Sequence, residues 1–143
     1  MFLGEYSHAL DAKGRLTIPA RFRAELDTGL VITRGYELCL VVYPPREWTA
    51  LSSKAAAMPQ ASRAARSYTR LVFGGAFEAE LDKMGRVLIP AFLREYACID
   101  EEAVIVGVNA FIEIWNPDRW RETLERDSQN LDVILNDVAK MGV

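Results

Sequence analysis

The sequence predicts an α+β fold with a mainly β core, built from two tandem copies of one β unit with helices added. The main observation behind this is a duplication: LDAKGRLTIP at residues 10–19 returns as LDKMGRVLIP at residues 81–90. Short runs rich in Val, Ile, Leu and aromatic residues, the composition of half-buried strands, follow each copy in the same order. Segments opened by a proline and patterned as helices close each set.

Aligning residues 10–23 with 81–94 gives eight identities in fourteen positions: Leu10/Leu81, Asp11/Asp82, Gly14/Gly85, Arg15/Arg86, Ile18/Ile89, Pro19/Pro90, Ala20/Ala91 and Arg23/Arg94. Farther on, Tyr43, Pro45 and Trp48 fall opposite Trp115, Pro117 and Trp120, with one residue slipped in the loop before position 103. The whole unit is therefore duplicated. The expected organisation is a first repeat over residues 1–58, a connecting helix over 59–74, and a second repeat with its C-terminal helix over 75–143.

Each unit opens with a short strand, residues 5–10 and 77–81. Asp11 then starts a turn, because its carboxylate can accept backbone N–H groups while Gly14 supplies the positive φ that reverses the chain. Residues 15–18 are the return strand, and Pro19 suits the first position of a two-turn helix in PARFRAEL. Two further strands, 30–34 and 38–43, match 103–108 and 111–115. Helices start at Pro45 and Pro117, with Trp48 and Trp120 expected as core anchors. Between the units Pro59 ends one helix, and QASRAARSYTRLVF forms another that stops at Gly74-Gly75, with Arg63, Arg66 and Arg70 on one solvated side. The last helix carries Trp120, Leu124, Leu131, Ile134, Leu135 and Val138 at three- and four-residue spacing.

At 143 residues, half of them hydrophobic and 26% charged, the chain is one small domain or two miniature ones sharing a core. No apolar stretch approaches the roughly 20 residues of a membrane helix, and no secretory leader is visible, which points to a cytoplasmic protein without a membrane partner. Cys39 and Cys98 lie in apolar runs and are expected as buried free thiols. The net charge of −3 hides an asymmetry. Up to Gly74 ten basic residues face six acidic ones, giving +4, and beyond it seven face fourteen, giving −7. One face suits an anionic partner and another does not.

Catalysis has no support: the one histidine, His8, lies in an expected strand, and no metal-ligand spacing or nucleotide-binding glycine pattern occurs, so no catalytic residue, metal or cofactor is assigned. Double-stranded DNA is the better partner. Lys13, Arg15, Arg21 and Arg23 occur with no acidic residue among them, whereas the matching stretch from Met84 to Arg94 carries only Arg86 and Arg94. An arginine-rich hairpin tip can reach phosphates and the acceptor edge of guanine. Either motif arginine can instead merely brace its turn through Asp11 or Asp82; bracing is favoured for Arg86, and DNA contact for Arg15 because its neighbours are basic.

The segments MFLGEYSHALDAKGRLTIPARFR, RLVFGGA and DKMGRVLIPAFLREYA resemble the MraZ transcriptional regulators, relatives of the AbrB-type swapped-hairpin DNA-binding domains. The resemblance covers nearly the full chain and rests on two D-x-x-x-R motifs, Asp11/Arg15 and Asp82/Arg86. It implies two swapped-hairpin units closing one pseudo-twofold barrel, and a ring-shaped homo-oligomer associated with the nucleoid. The implied function is a repressor binding tandem G-rich promoter repeats upstream of the division and cell-wall gene cluster that includes its own gene. Met84 and Phe92 replace Lys13 and Arg21 in the second copy, which weakens the case for DNA contact there. The rival readings are an antitoxin-like AbrB protein acting mainly through a partner protein, and a purely structural oligomer.

Overall fold

The computed structural model describes residues 1–143. The first repeat contributes β1 (Phe2–Ala9), β2 (Arg15–Thr17), β3 (Leu30–Arg34) and β4 (Leu40–Tyr43), followed by helices α1 (Pro45–Ala56) and α2 (Arg63–Val72). The second contributes β5 (Phe77–Ala79), β6 (Arg86–Leu88), α3 (Ala91–Ala97), β7 (Glu102–Asn109) and β8 (Ile112–Trp115), then α4 (Pro117–Gln129) and α5 (Leu131–Ala139). Six strands form one antiparallel sheet in the order β1-β7-β8-β4-β3-β5, and β2 and β6 form a separate two-stranded ribbon. The expected α+β class with a mainly β core is therefore present.

The pairings interleave the repeats. The first strand of each repeat pairs with the third strand of the other, β1 with β7 and β5 with β3. The ribbon pairs β2 with β6 so that Leu16 faces Val87, its own counterpart in the other repeat. In the main sheet Val41 faces its counterpart Glu113 where β4 meets β8. A pseudo-twofold axis thus runs through both sheets. The return strand does not form a hairpin with β1; they share only the bridge between Leu10 and Leu16.

The core follows the same symmetry. Leu16/Val87, Ile18/Ile89, Phe22/Leu93, Leu26/Ala97, Leu30/Ala103, Ile32/Ile105, Leu40/Ile112 and Val42/Ile114 all belong to one buried cluster, which is completed by Phe2 and Ile99. Period-two alternation sends Leu16 and Val87 inward and leaves Arg15, Thr17, Arg86 and Leu88 on the outer side of the ribbon. On the other face of the six-stranded sheet, Val104, Val106, Trp115 and Cys39 form a second cluster, and α1 and α2 cover β3.

Several sequence expectations require correction. PARFRAEL forms two 3-10 turns, Ala20–Phe22 and Ala24–Leu26, whereas its counterpart is the α-helix α3. Phe22 and Leu26 are bulkier than Leu93 and Ala97, and the Phe22 ring is held edge-on by Phe2 and Tyr6 at 5.3 and 5.4 Å. The C-terminal helix is broken at Asn130, whose side-chain amide donates to the Arg126 carbonyl at 2.9 Å in place of regular helix continuation. Cys39 is buried, but Cys98 is exposed, because it ends α3 in the left-handed conformation and points away from the core. Trp48 and Trp120 are half-buried and pack on Phe73 and Trp115 beside the sheet instead of anchoring the main core.

Leu16 is fully buried on the pseudo-dyad, so Leu16→Ala is expected to lower the unfolding free energy by about 2–5 kcal/mol in urea denaturation. Leu124→Ala, at a 43% exposed position, should cost under about 0.5 kcal/mol. Equal losses for the two variants would contradict the placement of the core at the ribbon.

Candidate nucleic-acid interface

Both ends of the ribbon are closed by the same turn. One oxygen of Asp11 accepts the backbone N–H groups of Lys13 and Arg15, each at 2.9 Å, and its other oxygen accepts the Arg15 Nε–H at 2.6 Å. Asp82 does the same with the N–H groups of Met84 and Arg86, at 2.9 Å, and with Arg86 Nε at 2.8 Å. Gly14 and Gly85 adopt φ values of +83° and +77°, which an L side chain rarely tolerates. Each glycine also lies under an arginine from the other repeat: an added Cβ at Gly14 would sit 2.9 Å from Arg94 Nε, and one at Gly85 would overlap the Arg23 guanidinium.

These two arginines close the ribbon like clasps. Arg23 Nε donates to the Ile18 carbonyl at 2.9 Å and Arg94 Nε to the Ile89 carbonyl at 3.0 Å. Arg23 is thus tied into the fold, while Lys13 is exposed at the turn tip. Arg21 is exposed and donates through Nη1 to the Tyr6 hydroxyl at 2.9 Å. Lys13 and Arg15 stand at the first turn, which Arg94 clasps, whereas Arg23 reaches across to Gly85 of the second turn, beside Arg86, and Arg21 rests on Tyr6.

Bracing and exposure coexist at both motif arginines. Their Nε groups hold the turns, so the terminal nitrogens are the groups left for another partner. The Arg15 side chain makes no further hydrogen bond within the chain and is 33% exposed. Arg86 is 24% exposed and leans one terminal nitrogen toward Asp11 Oδ2 at 3.8 Å. A guanidinium fixed through Nε and open at its far edge matches the two acceptors of guanine, O6 and N7. A two-stranded ribbon also has the cross-section that the major groove admits.

The second repeat differs from the first at the surface. Where Lys13, Thr17 and Arg21 stand in one copy, Met84, Leu88 and Phe92 stand in the other, 64%, 45% and 44% exposed. Phe92 has a partner in the Arg34 guanidinium, 5.9 Å from its ring centre. Sequence reasoning missed the clasp role of Arg23 and Arg94, the Tyr6 contact and the position of Leu88. The first could have been found from the identity of Arg23 and Arg94 in the two copies, and the last from strict alternation along RVLI.

The hydrogen bonds hold the Asp11 carboxyl down at about 2, chiefly through the Arg15 backbone N–H, with the Arg15 side chain and the Lys13 N–H adding to it. Asp82 is lowered for the same reasons, led by the Arg86 backbone N–H. Both stay ionised at neutral pH.

A family model described as "MraZ protein, putative antitoxin-like" matches residues 1–71 and 72–135, nearly the whole chain. Proteins named transcriptional regulator MraZ are similar along the chain. The one from Carboxydothermus hydrogenoformans is 52% identical over 120 residues, 84% of each chain. Those from Lactobacillus gasseri and Moorella thermoacetica are 48% and 47% identical over 96% and 100% of each chain.

A carboxyl whose pKa is depressed in the fold contributes stability that is complete above its unfolded value, near 3.9, and is lost as pH falls through the folded one. The Asp11 turn is therefore expected to hold throughout the neutral range and to open only toward about pH 2. A carboxyl-carbon NMR titration should place Asp11 and Asp82 below ordinary aspartate, with Arg15→Ala moving Asp11 upward and leaving Asp82 in place. Ordinary midpoints for both in the native protein would contradict the turn geometry.

Proposed function

The chain belongs to the MraZ family, and we propose that it is a sequence-specific DNA-binding transcriptional regulator that lays the β2–β6 ribbon into the major groove. The observation that carries this reading is the pair of aspartate-braced arginines on the ribbon's outer face, each with terminal guanidinium nitrogens turned from its turn. Arg15 is the principal reader, with Lys13 on a phosphate beside it, while Arg21 and the N–H groups of Arg23 that Ile18 does not use hold phosphates from the other end of the ribbon. Arg86 is the weaker reader, since it is less exposed and leans on Asp11.

The finer reading follows from the family resemblance. The protein represses by binding tandem G-rich repeats upstream of the division and cell-wall cluster that includes its own gene, in the cytoplasm on the nucleoid, without a cofactor or catalytic step. Several copies joined in a ring engage several repeats at once, and avidity offsets the few contacts each copy makes. Support for assembly comes from α5, where Leu131, Val133 and Leu135 are 52%, 59% and 56% exposed and no residue is buried. The exposed Arg63, Arg66 and Arg70 of α2 complement the acidic residues of α4 and α5, which favours head-to-tail contact. An antitoxin-like role is the second reading, raised by the wording of the family description; it predicts tight capture of a partner protein and no retardation of promoter DNA.

Anisotropy titration with DNA from upstream of the gene tests the proposal. Arg15→Ala should lose at least tenfold in affinity, since a guanine contact is worth about 1–3 kcal/mol, and Arg86→Ala should lose less. Lys13→Ala should weaken all sequences alike and flatten the salt dependence, the mark of a phosphate contact. Light scattering on the same samples should give a mass above a dimer. Wild-type binding by Arg15→Ala, or loss confined to Arg86→Ala, would overturn the assignment.

A further inference from the structure

Leu88 stands where an exposed leucine has no structural use. Its neighbours Val87 and Ile89 are only 1% and 0% exposed, while Leu88 is 45% exposed on the outer face of the ribbon. It lies directly opposite Arg15 in the β2–β6 register. The flanking bonds, Ile18 N–H to the Gly85 carbonyl and Ile89 N–H to the Gly14 carbonyl, both at 2.9 Å, make 18/85 and 14/89 hydrogen-bonded sites. Alternation along the ladder then makes Arg15/Leu88 and Thr17/Arg86 the non-hydrogen-bonded pairs, in which side chains stand closest, with Cβ atoms about 4.5–5.5 Å apart.

The pseudo-dyad is therefore broken at the atoms that meet a partner. Arg86 has Thr17 beside it, and Arg15 has Leu88 in the equivalent place. Leu88 belongs to neither buried cluster, unlike the partly buried Leu10 and Leu81, which pack on the core. Unlike Phe92, it has no cation over it. An apolar side chain at the flank of a guanine-reading guanidinium faces the next base step. In the major groove the apolar feature of a base edge is the C5-methyl group of thymine.

The geometry points to Leu88 as a specificity-determining residue that packs on the methyl group of a thymine next to the guanine read by Arg15. This inference rests on the DNA-binding reading above and adds to it a base preference and a polarity. Arg15 with Leu88 reads a guanine–thymine step, whereas Arg86 has beside it the smaller, half-polar Thr17 and reads guanine with a weaker preference of that kind. A pseudo-symmetric reader thereby acquires a direction on its site.

The test removes the methyl group and nothing else. Footprinting on DNA from upstream of the gene locates the protected thymines, and each is then replaced by deoxyuridine in a duplex for anisotropy titration. For the native protein, one thymine adjacent to a protected guanine should cost about fourfold in affinity when its methyl is removed, the value of one buried methyl. Leu88→Ser, which removes the apolar side chain at an exposed position, should bind the thymine and uracil duplexes alike and still prefer the site over scrambled DNA. Indifference of the native protein to every such replacement overturns the inference while leaving guanine reading intact. So does retained discrimination in Leu88→Ser, and so does a lower oligomer mass for that variant, which would assign Leu88 to a contact between copies. Absence of any preference for promoter DNA removes the underlying reading as well.

Discussion

The short antiparallel ladder between Arg15–Thr17 and Arg86–Leu88 is the constraint on which the other features depend. Because each strand pairs with its own counterpart, a single register fixes several things at once. It buries Leu16 and Val87 on the axis, directs Arg15 and Arg86 outward, and places an aspartate turn at each end of the ribbon. A one-residue slip would reverse every side chain, putting guanidinium groups into an apolar core and Leu16 into water. The clasping of each turn by the arginine of the other repeat, Arg23 over Gly85 and Arg94 over Gly14, resists that slip from both sides.

Duplication supplies the symmetry, and the surface departs from it. The core cluster retains paired apolar residues from both repeats, because a cavity or an overpacked site in either half costs stability. The outer positions are free of that demand. Lys13, Thr17 and Arg21 face phosphate-compatible solvent in one half, and Met84, Leu88 and Phe92 occupy the same places in the other. Together with the split of +4 and −7 between the two parts of the chain, this gives the halves unequal surfaces on one scaffold.

Much of this was legible in the sequence because the requirements are local. A carboxylate that accepts two N–H groups, a glycine at positive φ and an arginine four residues on are dictated within five positions, and both copies show them. The partner of the return strand was not legible, since a hairpin with β1 and a ladder with β6 satisfy the same backbone groups and make the same demand for alternation. Bracing and reading are not exclusive alternatives for Arg15 and Arg86, because the bond that braces each turn runs through Nε and does not engage the terminal nitrogens. The helix break at Asn130 and the exposure of Cys98 depend on cap geometry, which periodicity does not encode.

The central claim, that arginines of the ribbon read guanine edges in the major groove, is tested most directly by methylation interference. Promoter DNA lightly methylated at guanine N7 is separated into bound and free fractions after incubation with the native protein. Blocking N7 removes one of the two acceptors a guanidinium needs. The account predicts that specific guanines, recurring at a regular interval, are depleted from the bound fraction. An even distribution of methylated guanines between the fractions, with binding intact, would contradict it.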